Sequence, residues 1–366
     1  MIRSCDVGSL PLLGDEERFL EGATAIQGSA EEAVRYFEEK VAEGLLHKVE
    51  AGIDVPSYPQ FRDMNRMFLE MMQGVEKTEE GYMETDFLSL KAGKTDIPEI
   101  SAIREKIPDI HATVGEPLQL RVCITGPYTL SWLFIHRDGG IFKRLGEVVS
   151  RLVDNNFLRG AHGRVVIVAV DEPTFGLLDD PLIDPGSEGR ENLRRAWQTI
   201  LQKAHSRGSQ TCLHLHNTAD RLFWEVESLD IIESHAEDPL YERERTRGLL
   251  ESTDKFLKAS ISITDFDRLI RDRIVADSEQ ELNELLLNQR VAEIWKNLAS
   301  GQLKPETFLE DQDLMQRRLT RAIEEFGAER VPYAGPECGL RSFPTYRSAI
   351  ECLKRVSKVV KSFQDL

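Results

Sequence analysis

The sequence predicts an α/β protein, specifically a (β/α)8 TIM barrel with helical insertions after strands 2 and 7, in which residues 1–366 form a single domain. Short apolar or β-branched runs alternate along the chain with polar, helix-compatible segments. Some runs, such as 165–170, are apolar without alternation, which is typical of a parallel strand covered on both faces. An open, doubly wound sheet is the alternative, because eight strands do not by themselves prove closure.

Eight runs are predicted as strands, and the segments between them as helices. The runs cover residues 2–8, 51–55, 119–125, 164–171, 210–216, 229–233, 258–264 and 330–334. One helical pattern spans 30–51, where Phe37, Val41 and Leu45 recur at helical spacing, and the clearest follows the seventh run, where Ser278 and Glu281 match a capping box. Two connections, 56–117 and 265–329, are too long for simple crossovers, and we expect charged helical insertions that cover the barrel.

Composition limits the classes of function. The chain has 46 basic and 63 acidic side chains, a net charge of −17, which disfavours binding to nucleic acid or to an anionic membrane face. No stretch is long and apolar enough to cross a bilayer, and the first residues do not resemble a leader, so we expect a cytoplasmic protein with a small substrate. The five cysteines lack CxxC spacing, so a disulfide framework is not expected.

Polar residues gather after the predicted strands, at the rim where barrel enzymes carry their functional groups. His216, Glu233 and Cys338 follow three different strands, and imidazole, carboxylate and thiolate are all ligands of zinc. Each residue also has a simpler interpretation: His216 as a core histidine, Glu233 as a helix cap and Cys338 as a small buried hydrophobic residue. The spacing alone therefore leaves the metal and the metal-free interpretations open.

Six short motifs occur in an order that resembles the catalytic barrel of cobalamin-independent methionine synthases, and together they span nearly the whole chain. They are the segments VGSLP at 7–11, TGPYT at 125–129, DEP at 171–173, HLH at 214–216, IES at 232–234 and GPECGL at 335–340. The resemblance implies a zinc-dependent methyltransferase that transfers a methyl group to the thiol of homocysteine or of a similar small thiol.

The same resemblance assigns roles to individual residues. His216, Glu233 and Cys338 resemble zinc ligands of the family, with zinc lowering the pKa of the substrate thiol. Asp171 resembles the carboxylate that binds the ammonium group of the substrate, and we expect Glu172 to support it as a second catalytic residue.

Two further residues are expected in the substrate pocket. Ser9 resembles a residue of the loop that holds the carboxylate end of the substrate. Gln60, which follows the second predicted strand, is expected to line the pocket, although a solvated loop glutamine is the simpler interpretation.

One position departs from the family pattern. Where the family has His-x-Cys after strand 5, this chain has His216-Asn217-Thr218, and a threonine hydroxyl binds zinc poorly. The fourth position would then hold water, His214 or His235, or the site would be free of metal.

The methyl donor is a separate expectation. The large family members that use a folate donor carry an additional amino-terminal barrel, for which 366 residues leave no room. The resemblance therefore points to the short forms, which are thought to accept methyl groups from a corrinoid such as methylcobalamin, either free or on a partner protein.

Two other functions remain open from the sequence. A metal-free relative of uroporphyrinogen decarboxylase would need basic side chains for its substrate carboxylates, and Arg62, Arg341 and Arg347 are the candidates near the rim. A non-catalytic barrel that binds a corrinoid protein is the second alternative, and it would follow from the loss of a ligand at Thr218.

Overall fold

Seven parallel strands form the central sheet of the protein. The computed structural model describes residues 1–25, 30–241, 243–278 and 281–364. The strands in chain order are β1 (Arg3–Ser4), β2 (Met72–Lys77), β3 (Tyr82–Leu90), β4 (Leu118–Thr125), β5 (Arg159–Gly160), β6 (Gly163–Glu172), β7 (Gln210–Leu215), β8 (Ile231–Glu233), β9 (Phe256–Ser262) and β10 (Tyr333–Pro336). The central sheet has the order β1-β10-β9-β8-β7-β6-β4, and β5 pairs antiparallel with β6.

Helices fill the connections, as an α/β fold with parallel strands requires. They are α1 (Glu16–Thr24), α2 (Glu31–Glu50), α3 (Arg66–Leu69), α4 (Pro98–Val114), α5 (Pro127–Ser131), α6 (Ile141–Asn155), α7 (Glu188–Ser206), α8 (Arg243–Ser252), α9 (Phe266–Ala276), α10 (Glu284–Ala299), α11 (Gln312–Phe326) and α12 (Tyr346–Gln364). None of the helices in the described ranges is long and apolar enough to cross a membrane.

The predicted second strand, 51–55, is wrong as a regular strand. Helix α2 continues to Glu50, and Gly52 takes a positive φ of 91° that turns the chain out of the helix. The segment 55–58 then makes only isolated bridges, one to β1 and one to β4. Val55 N donates to Ser4 O at 2.9 Å, and Arg121 N donates to Pro56 O at 3.0 Å. The regular sheet is therefore a curled, seven-stranded sheet whose two edge strands are linked through 55–58.

The region predicted as the first helical insertion, 56–117, is only partly helical. Besides α3 and α4 it contains β2 and β3, which form a separate antiparallel hairpin. The expectation of an all-helical insertion was wrong here, because the turn at Gly81, with φ of 155°, separates two strand-forming segments. The second region, 265–329, contains α9, α10 and α11.

Strand β6 shows why the sheet is covered on both faces. Nearly all of its side chains are buried, including consecutive ones, so both sides of the strand pack against protein. On its outer side, helix α7 contributes Leu193, Trp197 and Ile200, all of which are fully buried. The strand ends that carry polar groups are thus held on a rigid sheet rather than on mobile loops.

Candidate functional site

The register of the parallel strands places a row of polar residues side by side. Asp171 pairs in register with His214, His214 with Glu233, and Glu233 with Lys258. Because residues in register on neighbouring strands point to the same side of a sheet, these four side chains share one face near the carboxyl ends of their strands. His216 and Cys338 follow β7 and β10 at the same rim.

His214, His216 and Cys338 form a cluster that could hold one metal ion. Their ligand atoms all lie within 4.8 Å of one another, and Nε2 of His216 lies 3.4 Å from Sγ of Cys338. Both ring nitrogens of His214 are buried without a hydrogen-bond partner among the described residues, and Nδ1 lies 3.5 Å from Oε1 of Glu233. Buried imidazole nitrogens without partners are costly, and a metal ion would satisfy one of them. Two imidazoles and a thiol are donors that suit zinc.

Burial keeps the three donors neutral in the absence of a cation. It lowers the pKa of His216 to about 2, and the neighbouring His214 and His235 lower it further. Burial also lowers the pKa of His214, and it raises the pKa of Cys338 to about 12. A divalent cation is therefore needed to convert the thiol into a thiolate, whereas the imidazoles are already in the form that binds metal.

His235 lies at the edge of the cluster. Its ring centroid is 4.1 Å from that of His216 and 6.5 Å from that of His214. Its Nε2 is also buried without a hydrogen-bond partner among the described residues. The strand ends therefore gather three imidazoles and one thiol.

Glu233, which the sequence analysis placed among the metal ligands, lies outside this cluster. Its Oε2 accepts a hydrogen bond from Nη1 of Arg121 at 2.6 Å, and its Oε1 accepts one from Nζ of Lys258. The side chains of Arg121 and Glu233 are fully buried, and that of Lys258 nearly so. The structure therefore groups His214, and not Glu233, with His216 and Cys338, and Glu233 as a ligand stays a prediction.

Thr218 does not face the cluster either. Its hydroxyl and its backbone N–H both donate to the carboxylate of Asp238, the latter at 2.9 Å. The same carboxylate accepts from Leu240 N at 2.7 Å, so it organises the loop after β8. Thr218 therefore connects two rim loops, and its hydroxyl does not stand where a metal ligand would be.

The adjacent acidic residues Asp171 and Glu172 point to opposite faces of β6. Asp171 lies on the inner face, where its Oδ1 is 3.8 Å from Nη2 of Arg121. Burial raises the pKa of Asp171 to about 8, although the positive charge of Arg121 opposes the shift. Oδ1 of this carboxyl group has no hydrogen-bond partner among the described residues.

Glu172 lies on the outer face, away from the cluster. Its Oε1 accepts from the Trp197 indole at 2.8 Å and from Tyr128 N at 2.9 Å, and its Oε2 accepts from Thr129 N at 2.6 Å. These two backbone N–H groups belong to the first turn of α5, so Glu172 caps that helix. In this geometry the oxygens of Glu172 fix α5 against the sheet, and its catalytic role stays a prediction.

Ser9 and Gln60 lie together beside the loop that carries Cys338. They are joined by a parallel bridge, and Leu340 N donates to Ser9 O at 2.9 Å. A Cβ on Gly339 would stand 1.9 Å from Oγ and 3.0 Å from Cβ of Ser9, so a larger residue would require the Ser9 side chain to move. Gln60 is buried and donates through Nε2 to the hydroxyl of Tyr58 at 2.7 Å.

Two features of the site were missed in the sequence. Glu337 accepts hydrogen bonds from Ala236 N at 3.0 Å and from Thr264 N at 3.1 Å, and thereby ties the loops after β8 and β9 to the residue before Cys338. His214 was considered only as an alternative ligand. The His-x-His spacing could have indicated that His214 points to the same side of β7 as His216, because residues two apart on a strand do so.

The three arginines considered for a carboxylate-rich substrate are not gathered at the rim. Arg62 is buried and forms a bidentate pair with Glu99, with both distances 2.7 Å. Arg347 is exposed and lies 3.4 Å from Glu306, and Arg341 is also exposed. The structure does not bring them together as a pocket for several carboxylates.

Comparison with known proteins identifies the fold. No family model matches the sequence, and no curated protein is similar to it. Among solved structures, the chain is similar to a B12-independent methionine synthase from Shewanella sp. W3-18-1 in complex with selenomethionine, with 16% identity, a TM-score of 0.60 and full coverage of both chains.

A second solved structure supports the same conclusion. A putative vitamin-B12 independent methionine synthase from Listeria monocytogenes matches over 99% of both chains, with 13% identity and a TM-score of 0.57. The resemblance predicted from the six sequence motifs is thus confirmed at the level of the fold: this chain has the fold of the B12-independent methionine synthase structures.

Proposed function

We propose that this protein is a methyltransferase of the methionine-synthase type, which transfers a methyl group to the thiol of homocysteine or of a similar small thiol. Zn²⁺ would be held by His214, His216 and Cys338. The observation that carries the proposal is the convergence of these three donors at one rim, with the buried Nε2 of His214 left without a partner among the described residues. The shared fold supports the proposal but does not carry it, since one fold hosts many activities.

Bound zinc would supply one kind of chemistry at this place: it removes the proton from a substrate thiol and holds the resulting thiolate. The residues of the chain do the rest. Asp171, 5% exposed at its side chain, would accept the ammonium group of the substrate as a carboxylate and release its own proton to water as the substrate binds. Ser9 and Gln60, next to the Cys338 loop, would define the other end of the pocket.

For the methyl donor we propose a methyl-corrinoid, either free methylcobalamin or one carried on a partner protein. The alternative donor is a methyl-folate. Assays with each donor and homocysteine, carried out with the same zinc-loaded protein, distinguish the two by the formation of methionine.

The test of the proposed function is zinc content together with methyl transfer. Protein purified without chelator is expected to contain near-stoichiometric zinc, and Cys338→Ser is expected to lose both the metal and the activity. Cys352→Ser is the matched control, because Cys352 is also a free cysteine but contacts Ser262, outside the cluster. Equal, negligible zinc in all three proteins would contradict the proposal.

The two other candidate functions have less support. Porphyrinogen decarboxylation lacks its cationic pocket, because the charge of Arg62 is neutralised by Glu99. A non-catalytic role as a corrinoid-protein partner was motivated by a ligand lost at Thr218, and Thr218 instead binds Asp238. Neither alternative uses the cluster of His214, His216 and Cys338.

A further inference from the structure

We infer that Lys48 and Asp6 form a buried ion pair that holds the loop of Ser9 at a fixed distance from the loop of Gln60, and thereby positions one end of the proposed substrate pocket. The inference deepens the proposed function and rests on it, because Ser9 and Gln60 belong to that pocket. Lys48 acts through the two loops, so it is a positioning residue and not a catalytic one.

The first step of the argument is the burial of Lys48, which lies in the last turns of α2 and has a fully buried side chain. Its Nζ donates to Oδ2 of Asp6 at 2.7 Å, to Gly8 O at 2.8 Å and to Ser57 O at 3.0 Å. Three acceptors satisfy the three N–H groups of an ammonium. Because Asp6 and Ser57 are buried as well, the ammonium joins two segments of chain inside the protein.

The second step concerns the seam at which the curled sheet closes, where the end of β1 faces the segment 55–60. Two parallel bridges cross this seam, one between Cys5 and Val55 and the other between Ser9 and Gln60. The bridges are four residues apart on one side of the seam and five on the other. The extra residue interrupts the regular ladder between them, as in a bulge.

Backbone N–H groups of the second segment do not fill this gap. Pro56 and Pro59 have no N–H to donate. Tyr58 N donates to strand β4 at 3.2 Å, on the other side of the segment. Ser57 N donates to Oδ1 of Asp6 at 2.7 Å, which is a side-chain acceptor. The ion pair therefore replaces the missing ladder bonds, and fixing a register is the best attested use of buried polar pairs.

The third step is the connection from the ion pair to the pocket, which passes through Gly8. Its carbonyl oxygen accepts from Nζ of Lys48 and also from Gln60 N, the latter at 3.2 Å. Ser9 is the next residue, and its own carbonyl oxygen accepts from Leu340 N at 2.9 Å. Without the ammonium, the peptide that precedes Ser9 loses one of its two donors and can shift relative to Gln60.

The side chains at this end of the pocket suit a carboxylate. The hydroxyl of Ser9 and the amide N–H groups of Gln60 are hydrogen-bond donors. If Asp171 accepts the ammonium group, the carboxylate is the other charged group that an amino-acid thiol presents. A misplacement of roughly 1 Å weakens such contacts strongly. Because these contacts are remote from the sulfur, the loss is expected mainly in KM.

Steady-state kinetics and backbone hydrogen exchange of the full-length, zinc-loaded protein test the inference. The variant Lys48→Met/Asp6→Asn removes both charges, so that neither is left buried without its partner. Its KM for homocysteine is expected to rise roughly tenfold, with kcat within about twofold of the unmodified protein. With homocysteamine, the analogue without the carboxylate, KM should change less than about twofold. Amide exchange in 8–10 and 57–60 should become at least roughly tenfold faster.

Lys255→Met is the matched control, since Lys255 is also buried but donates instead to the carbonyls of Val226 and Leu229. This control should leave both KM and the exchange of the two loops unchanged. Should the double variant fail to fold, Asp6→Asn alone keeps the ammonium on its two carbonyl acceptors and permits the same measurements, with a smaller expected rise in KM.

The outcomes separate the inference from the proposed function. Unchanged exchange in both loops would overturn the inference, because the ion pair would then not hold them. Equal losses with homocysteine and homocysteamine would overturn it too, since they indicate general destabilisation rather than positioning. If the unmodified protein transfers no methyl group to homocysteine, the proposed function fails, and the exchange measurement still decides whether the ion pair holds the two loops.

Discussion

Nε2 of His216 lies 3.4 Å from Sγ of Cys338, although 122 residues separate them in the sequence. The strands that carry them, β7 and β10, are not neighbours, because β8 and β9 lie between them in the sheet. The contact therefore depends on the curvature of the sheet and on the loops at its rim. Glu337 and Gly339, on either side of Cys338, hold that loop against its neighbours.

Replacing Thr218 with cysteine should not create a metal ligand. The hydroxyl of Thr218 is directed at Asp238, so a thiol there would lie outside the cluster. We expect zinc affinity within about twofold of the unmodified protein, and a loss of stability of about 1–2 kcal/mol from the weaker hydrogen bond to Asp238. A competition titration with a zinc chelator measures the affinity. A large gain in affinity would show that position 218 reaches the metal.

Asp171→Asn should weaken the binding of the substrate ammonium group. A lost charge-assisted hydrogen bond corresponds to a roughly 10- to 100-fold fall in kcat/KM, mainly through KM. Zinc content should not change, because Asp171 does not belong to the cluster. Steady-state kinetics with homocysteine, and with an analogue that lacks the amino group, check this. The variant and the unmodified protein should differ little with the analogue.

The same substitution should change how stability depends on pH. Since the pKa of Asp171 is raised to about 8 from 3.8, the folded protein keeps a proton that the unfolded chain releases between these values. The free energy of unfolding therefore contains a contribution that decreases as pH rises through this window and levels off above about 8. The amide group of the Asp171→Asn variant cannot ionise, so the free energy of unfolding of the variant relative to the unmodified protein should rise by on the order of 4 kcal/mol between about pH 5 and 8. Thermal unfolding of metal-free protein measures it, and a constant difference would contradict the raised pKa.

Glu172→Gln should destabilise the fold while leaving the metal site intact. The amide group would turn an N–H donor toward a backbone N–H of α5 or toward the Trp197 indole, both of which are donors. We expect a loss of about 1–3 kcal/mol in the free energy of unfolding. Zinc affinity and the KM for the thiol should remain near those of the unmodified protein. A selective loss of turnover at unchanged stability would instead assign Glu172 a catalytic role.

Gly339→Ala should disturb the Cys338 loop through a steric clash with Ser9. The added Cβ would meet Oγ of Ser9 at 1.9 Å and its Cβ at 3.0 Å. We expect zinc affinity to fall by up to roughly tenfold, since the Ser9 side chain must rotate and the Cys338 loop must shift slightly to relieve the overlap. Ser9→Gly in the same chain removes both contacting atoms and should restore most of the affinity. Failure of this rescue would place the effect of Gly339→Ala elsewhere.

The sequence allowed the prediction of most strands because a buried parallel strand leaves a local signal. The apolar run at 165–170 lies in β6, and seven of the eight predicted runs coincide with strands of the sheet. The run at 51–55 was misleading, because its first residues end helix α2 and Pro56 cannot donate a ladder hydrogen bond. The hairpin of β2 and β3 was missed, although Gly81 after two acidic residues is a turn signal.

The candidate metal ligands were harder to predict, because their selection depends on long-range pairing. Nothing near Glu233 in the sequence indicates that its carboxylate meets Arg121, 112 residues away, and Lys258, 25 residues away. Likewise, Thr218 has a polar partner only because the loop after β8 brings Asp238 to it. The motifs therefore indicated the strand ends on which the candidate donors lie, whereas the face of the strand on which each donor lies required the structure.

The central claim is tested most directly by anomalous diffraction at the zinc edge from crystals of the zinc-loaded protein. We expect one strong peak at the rim, within about 2.0–2.3 Å of Nε2 of His214, an imidazole nitrogen of His216 and Sγ of Cys338. A peak bound by Glu233 in place of His214, or no peak among these residues, would contradict the account.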